Sequence, residues 1–415
     1  MNKPGFFLVG LLSFCLSACF ESKTISLWTD RPEFAIYAEY FNSAQDEYQV
    51  ETRYFESLPL ELANTGASPD IVAGNWLKNT STRVLFRPLD GLFRKDTGEA
   101  LKNSFYPHLL ALGNIEGKQY LLPVSFNLPA MVFAPNNSYL LSNSFTVSLD
   151  EIKELGKAYN TGNNGMYSRM GFSPSWSDDF LFITAIIFNT SFREAAPLAW
   201  TPEALEQAMV YVRQWIEEVN GGMRAEDDFV FKYFYDSPSN LALSGRILFA
   251  YMDSADLFTL PQEKRANLDF RWIAEKDSIP LSEETVYLGV CKGGNAQKAA
   301  MAFTQWFFLE DTQRHLMEVS RDNRLTETFF GIGNGFSALR TVTEHIFPQF
   351  YPNLLGHMPP EDFLSPPNIL PRSWMAIKER VILPYLHERI RSENRNNIRS
   401  LERRLSDWGR LNRGL

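Results

Sequence analysis

Cysteine is nearly absent. The 415 residues contain three, Cys15, Cys19 and Cys291, and two of these fall within the first twenty positions. No disulfide framework is available, so the fold must rest on its hydrophobic core. Histidine is also scarce: His108, His315, His345, His357 and His387 show no metal-ligand spacing, so neither a metal ion nor another cofactor is expected. Positive charge is in deficit, with 40 Lys and Arg against 49 Asp and Glu and a formal net charge of −9. That balance gives phosphate backbones no general reason to bind, and nucleic acid is not an expected partner. Nucleotide loops are missing as well. Gly331-Ile332-Gly333-Asn334-Gly335-Phe336 lacks the final glycine of a dinucleotide fingerprint, and no Lys-Ser/Thr completes a phosphate loop.

One apolar run stands out, from Gly5 to Ala18 after Lys3. It is short for a membrane span, which needs about 20 residues, but suits a secretory signal. Leu16-Ser17-Ala18-Cys19 resembles the bacterial lipobox, in which cleavage before the cysteine frees it for lipidation. Residues 1–18 are then a signal peptide, Cys19 the lipid site and 19–23 a tether to the membrane. Two acyl chains anchor where one exchanges, because burial contributes about 0.8 kcal/mol per methylene. The alternative is an ordinary signal with a chance cysteine. Either way Cys291 has no partner and reads as a small buried residue.

Composition is that of a soluble globular protein, 45% hydrophobic and 21% charged, and the length favours two lobes over one core. Residues 24–30 read as a strand ending at a polar edge, Pro32 suits a helix start, Glu33 to Ala44 carries an apolar helical face, and Tyr48 to Tyr54 is a second strand. Ile71-Val72-Ala73-Gly74 reads as a buried parallel strand stopping at Asn75-Trp76. Helical patterns recur at Leu149 to Lys157, Pro202 to Val219 and Gln297 to Phe308, and strand-like runs at Ile247 to Tyr251 and Val286 to Cys291. The fold class is α/β.

Several segments, taken in order, resemble the extracellular solute-binding proteins of the maltose-binding type. They include Ser68-Pro69-Asp70-Ile71-Val72, Pro88-Leu89-Asp90-Gly91-Leu92-Phe93, Gly117 to Ser125, Ser148 to Ile152, Ser244-Gly245-Arg246-Ile247 and Ala299 to Trp306. The sequence departs from that pattern at Ser148-Leu149, Leu248-Phe249 and Phe133-Ala134. The resemblance implies a periplasmic-binding-protein fold of two hinge-linked lobes around a central ligand cleft. Lobe one is expected at 24–130 plus about 285–335, and lobe two at 131–284 plus about 336–415, with the glycine-rich 331–335 as a turn between lobes. It also implies a monomer that hands a small solute, a carbohydrate, to ABC permease subunits.

Sugars offer hydroxyl edges and weakly apolar faces, so a sugar cleft needs carboxylates or amides beside aromatic rings. After strands, such groups are Trp28 with Asp30, Asn75 with Trp76, Trp176 with Asp178 and Asp179, and Tyr251 with Asp253 and Ser254. Asn127 stands at the expected hinge, and Tyr235 belongs to the aromatic run 231–235. Each has a plainer alternative: Trp28 as core, Asp30 as helix cap, Asn127 as turn amide, Trp176 under a loop. The arginine-rich stretch from Arg389 to Arg413 reads as an amphipathic helix docked on its own lobe. Two other functions fit the sequence, a surface lipoprotein acting as sensor, adhesin or scaffold, and a secreted glycan-degrading enzyme with facing carboxylates.

Overall fold

The computed structural model describes residues 23–64, 68–163, 166–392 and 397–412. Cys19 and the signal-like stretch lie outside them.

Two sheets organise the chain. The first has six strands in the spatial order 336–337, 121–126, 286–290, 71–74, 24–29, 49–54. Thr24–Thr29 pairs in parallel with both Gln49–Tyr54 and Ile71–Gly74, and Val286–Val290 closes antiparallel on Ile71–Gly74. All four residues of Ile71–Gly74 are buried, as a strand covered on both faces requires. Side-chain alternation along Thr24–Thr29 divides the core. Ile25 and Leu27 join the helix Phe34–Ala44, through Phe34, Tyr37 and Phe41, on one face. Trp28 joins Val72, Leu121, Tyr287 and Cys291 on the other. Burial pushes the Cys291 thiol up to about 12, with Asp70 adding to the effect, so this cysteine is an inert core residue.

The second sheet runs 250–253, 129–133, 269–273, 146–147. The strand expected from Ile247 starts later, at Ala250, because the backbone N–H groups of Leu248 and Phe249 both donate to the Gly171 carbonyl. The helix expected at 202–219 is α-helical over Pro202–Gln214 and widens to a π-type turn over Trp215–Val219. The chain passes between the sheets at Asn127-Leu128 and again at residues 281–285.

The boundary expected at 335 falls one residue before a strand of the first sheet, since Phe336–Ser337 pairs with Phe126 and Ser125. The glycine-rich 331–335 is therefore a tight turn feeding that strand, with Gly331, Gly333 and Asn334 all at positive φ. Beyond residue 366 the chain packs on the second lobe. Trp374–Ile377, Leu383–Arg391 and Leu401–Leu411 share a core with Asp178–Ile187 and Pro202–Gln214. The arginine face pairs locally: Arg391 meets Asp227 at 3.2 Å, Arg389 meets Glu206 and Arg404 meets Glu388.

Candidate functional site

The strand directions bring chemistry to one place. Thr24–Thr29, Ile71–Gly74 and Leu121–Phe126 run the same way and end in Asp30-Arg31, Asn75-Trp76 and Asn127, while Val286–Val290 runs oppositely and starts beside Glu283-Glu284. From the second sheet, Ala250–Asp253 ends at this junction, next to the start of Pro129–Phe133. The outcome is a groove with two cavities of about 220 and 240 Å³ that share Arg31 and Glu284 as a common wall.

Ion pairs brace the groove. Arg31 reaches Glu284 at 3.2 Å and Asp30 at 3.5 Å, and Lys378 reaches Asp179 at 3.1 Å and also Glu283. Adjacent glutamates of the connecting segment are thus held by cations from different lobes, Glu284 by Arg31 of the first and Glu283 by Lys378 of the second. Burial alone would lower the Lys378 ammonium, but Glu283 and Asp179 outweigh it and hold it above its usual value. Asp30 is a different case: burial, only partly opposed by Arg31, pushes its carboxyl up to about 6. Gly74 permits this proximity, since a Cβ there would lie 2.6 Å from Asp30 Oδ1. Trp76 lines the second cavity with φ at 57°, in the left-handed region that costs a bulky residue of order 1–3 kcal/mol. The buried Asn79 holds the turn, donating to the Trp76 carbonyl and accepting from the backbone of Ser81 and Thr82.

The structure brings Asp30, Asn75, Trp76, Asn127, Tyr251 and Asp253 to the groove walls. It leaves others out. Trp28 is 3% exposed, with its ring 4.7 Å from Phe55, because it lies within its strand and its side chain stands over the sheet face. Ser254 is fully buried, and its hydroxyl is used twice, donating to Asn127 Oδ1 at 2.7 Å and accepting from Leu128 N–H at 3.0 Å. Asn127 also donates to the Asn334 carbonyl at 2.9 Å, so its amide pins the crossover. Trp176 stacks on Phe229 at 5.6 Å inside the second lobe. Asp178 is exposed and pairs with His387 at 2.6 Å, while its neighbour Asp179 takes the groove position. Tyr235 is 87% exposed on the surface past the helix Met223–Tyr233, away from the groove. Among the described residues no group of three or more His, Cys, Asp or Glu is arranged to hold a metal ion.

A model of the bacterial extracellular solute-binding protein family matches residues 37–322. The chain belongs to that family. As a solute-binding protein it shares its fold with the maltose/maltodextrin-binding domain from Bdellovibrio bacteriovorus, solved with maltotriose, at 14% identity and a TM-score of 0.59 over 94% of this chain and 100% of that one. A cyclic α-maltosyl-1,6-maltose binding protein from Arthrobacter globiformis matches at 16% identity and a TM-score of 0.60, over 92% and 96% of the two chains. A solute-binding protein from Thermotoga lettingae, bound with α-D-tagatose, matches at 13% and 0.58, over 93% and 97%. No curated protein matches the sequence.

Several groove residues of this solute-binding protein escaped the sequence reading: Arg31, Glu283, Glu284, Asp256 and Lys378, whereas Asp179, which the sequence placed with Trp176 and Asp178, does reach the groove wall. Arg31 is the direct neighbour of Asp30, which was singled out. The Glu283-Glu284 doublet just ahead of an apolar strand was a usable signal. Lys378 had none, because its two carboxylate partners lie 199 and 95 residues away in sequence.

Proposed function

We propose that the protein captures a small solute, a carbohydrate, in the groove between its lobes and delivers it to an ABC import permease driven by a separate ATPase. It binds without turnover. The carrying observation is the groove itself: in a chain of the solute-binding family, polar groups from the ends of both sheets converge on cavities that are also lined by Trp76 and Tyr251. Ligand sites of α/β proteins occupy this position, beyond the carboxyl ends of strands. The bound sugars named for the fold's neighbours agree with this choice of solute class.

The test is a thermal-shift screen of the full chain in detergent against neutral and amino-substituted mono- and oligosaccharides, polyols, peptides and metal salts. A ligand at a hundredfold excess over Kd should add about 2.7 kcal/mol of stability, which is easily resolved. Stabilisation by a sugar without its hydrolysis is the expected result. A flat response from folded, ligand-free protein would count against a transport role, and turnover would make the protein an enzyme.

The protein acts from the cell envelope, tethered through lipidated Cys19. Cys19→Ser should abolish labelling by a fatty-acid probe and move the protein out of the detergent phase, whereas unchanged labelling would remove the anchor from the account.

A further inference from the structure

We infer that the solute carries a protonated amine, on the reading that the groove is the solute site. Arg31 is shared between Asp30 and Glu284, and Lys378 between Asp179 and Glu283. Each cation therefore already serves two carboxylates. Asp253 and Asp256 line the same cavity, and among the described residues no cation lies within ion-pair distance of either. Asp253 has one oxygen engaged, accepting the Ala255 N–H at 2.7 Å as the cap of the helix Ser254–Thr259.

A second observation, independent of charge, points the same way. The Asn75 side chain is 5% exposed and lines the adjoining cavity, yet its Oδ1 accepts no hydrogen bond from any described residue. Its Nδ2 donates to Glu284 at 3.4 Å, which fixes the amide so that Oδ1 is the end left without a donor. Asp30 Oδ1 also lacks a hydrogen-bond donor, and the Arg31 Nε–H, likewise without an acceptor, stands 3.5 Å from it. Buried acceptors without donors are uncommon in folded proteins and call for a donor from outside the chain.

An ammonium has the chemistry for either cavity, the carboxylates Asp253 and Asp256 in one or the acceptors of Asn75 and Asp30 in the other, with three donors, no acceptor and one positive charge. A phosphorylated or uronic solute would meet carboxylates that already crowd one another. A neutral sugar would satisfy the acceptors but bring no charge that favours the ionised form of Asp253 and Asp256. Burial, together with the surrounding carboxylates, holds both of those groups above the ordinary Asp range, the state that an incoming cation relieves. The Tyr251 ring beside Asp253 adds an aromatic surface to the same wall. Two kinds of solute share this chemistry, an amino sugar and a polyamine.

Calorimetric titration of the full chain in detergent at neutral pH separates the outcomes. The probes are the β-1,4-linked glucosamine disaccharide, its di-N-acetylated form, maltose and spermidine. The expected result is that the glucosamine disaccharide or spermidine binds at least about tenfold more tightly than both neutral sugars, and that Asp253→Asn with Asp256→Asn removes this preference. Stronger binding of the amino sugar keeps the carbohydrate class, and stronger binding of spermidine moves the solute to the polyamines. Both results support the amine. Equal or tighter binding of a neutral sugar would overturn the amine while leaving solute capture intact. Failure of all four probes, in protein whose thermal unfolding is cooperative, would overturn the amine and count against the groove as a solute site.

Discussion

Replacing Lys378 with methionine should destabilise the protein by about 3 kcal/mol or more, read as a lower midpoint in urea unfolding. Lys378 and Glu283 are both largely buried, with side chains 11% and 8% exposed, whereas Asp179 keeps access to water. Methionine fills much of the space of the lysine stem and leaves packing nearly intact. What remains is a buried Glu283 carboxylate with no cation. Adding Glu283→Gln to Lys378→Met should therefore recover most of the loss, since the second change neutralises the stranded charge. If the single variant loses less than about 1 kcal/mol, or the double variant is worse than the single, the pair is not holding the connecting segment to the second lobe.

Asp30→Asn should stabilise the empty protein at neutral pH, and the advantage should shrink as the pH falls. The Asp30 carboxyl is pushed up from 3.8 to about 6 by burial. Through that interval the folded state keeps a proton that the unfolded state releases. The wild-type protein thus loses stability as pH rises from about 4 to about 6, by roughly 3 kcal/mol, because each tenfold change in proton affinity between the two states is worth about 1.36 kcal/mol. Asparagine retains the shape of the protonated form and does not titrate. Thermal or urea unfolding of both proteins at pH 4 and pH 7 should show the gap opening toward neutrality by about that amount. A gap independent of pH would mean that Asp30 is solvated or fully compensated. An ionised carboxylate retained in a costly position, beside a tryptophan with strained backbone, is what a site maintained for a ligand looks like.

Much of the scaffold was legible because it is periodic. The alternation in Thr24–Thr29, the continuous burial of Ile71–Gly74 and the apolar face of Phe34–Ala44 all follow from spacing alone. The site was legible only in part, and the two tryptophans show why. Trp28 and Trp76 both stand near the carboxyl end of a strand, but Trp28 is still paired within the ladder, opposite Arg53 and Val72, so its ring belongs to the sheet face. Trp76 follows the strand end by two residues and turns through positive φ into the cavity wall. Tyr235 was expected at the cleft, but of the aromatic run 231–235 Phe234 packs on Trp176 in the core while Phe231 and Tyr235 face solvent, and periodicity does not tell a solvent-facing ring from a cleft-facing one. Long-range ion pairs were out of reach, since charge complementarity between Lys378 and Glu283 is visible only after folding brings them together.

Capture of a solute in the groove between the lobes is tested most directly by titration against a groove variant. Tyr251 lines the groove and packs against Phe180 at 5.8 Å, so Tyr251→Leu removes the ring and hydroxyl while keeping an apolar side chain at that contact. With the solute that most stabilises the wild-type protein, calorimetry should show at least about a tenfold loss of affinity in the variant at little cost to its melting temperature. An unchanged affinity in a folded Tyr251→Leu protein would contradict the account.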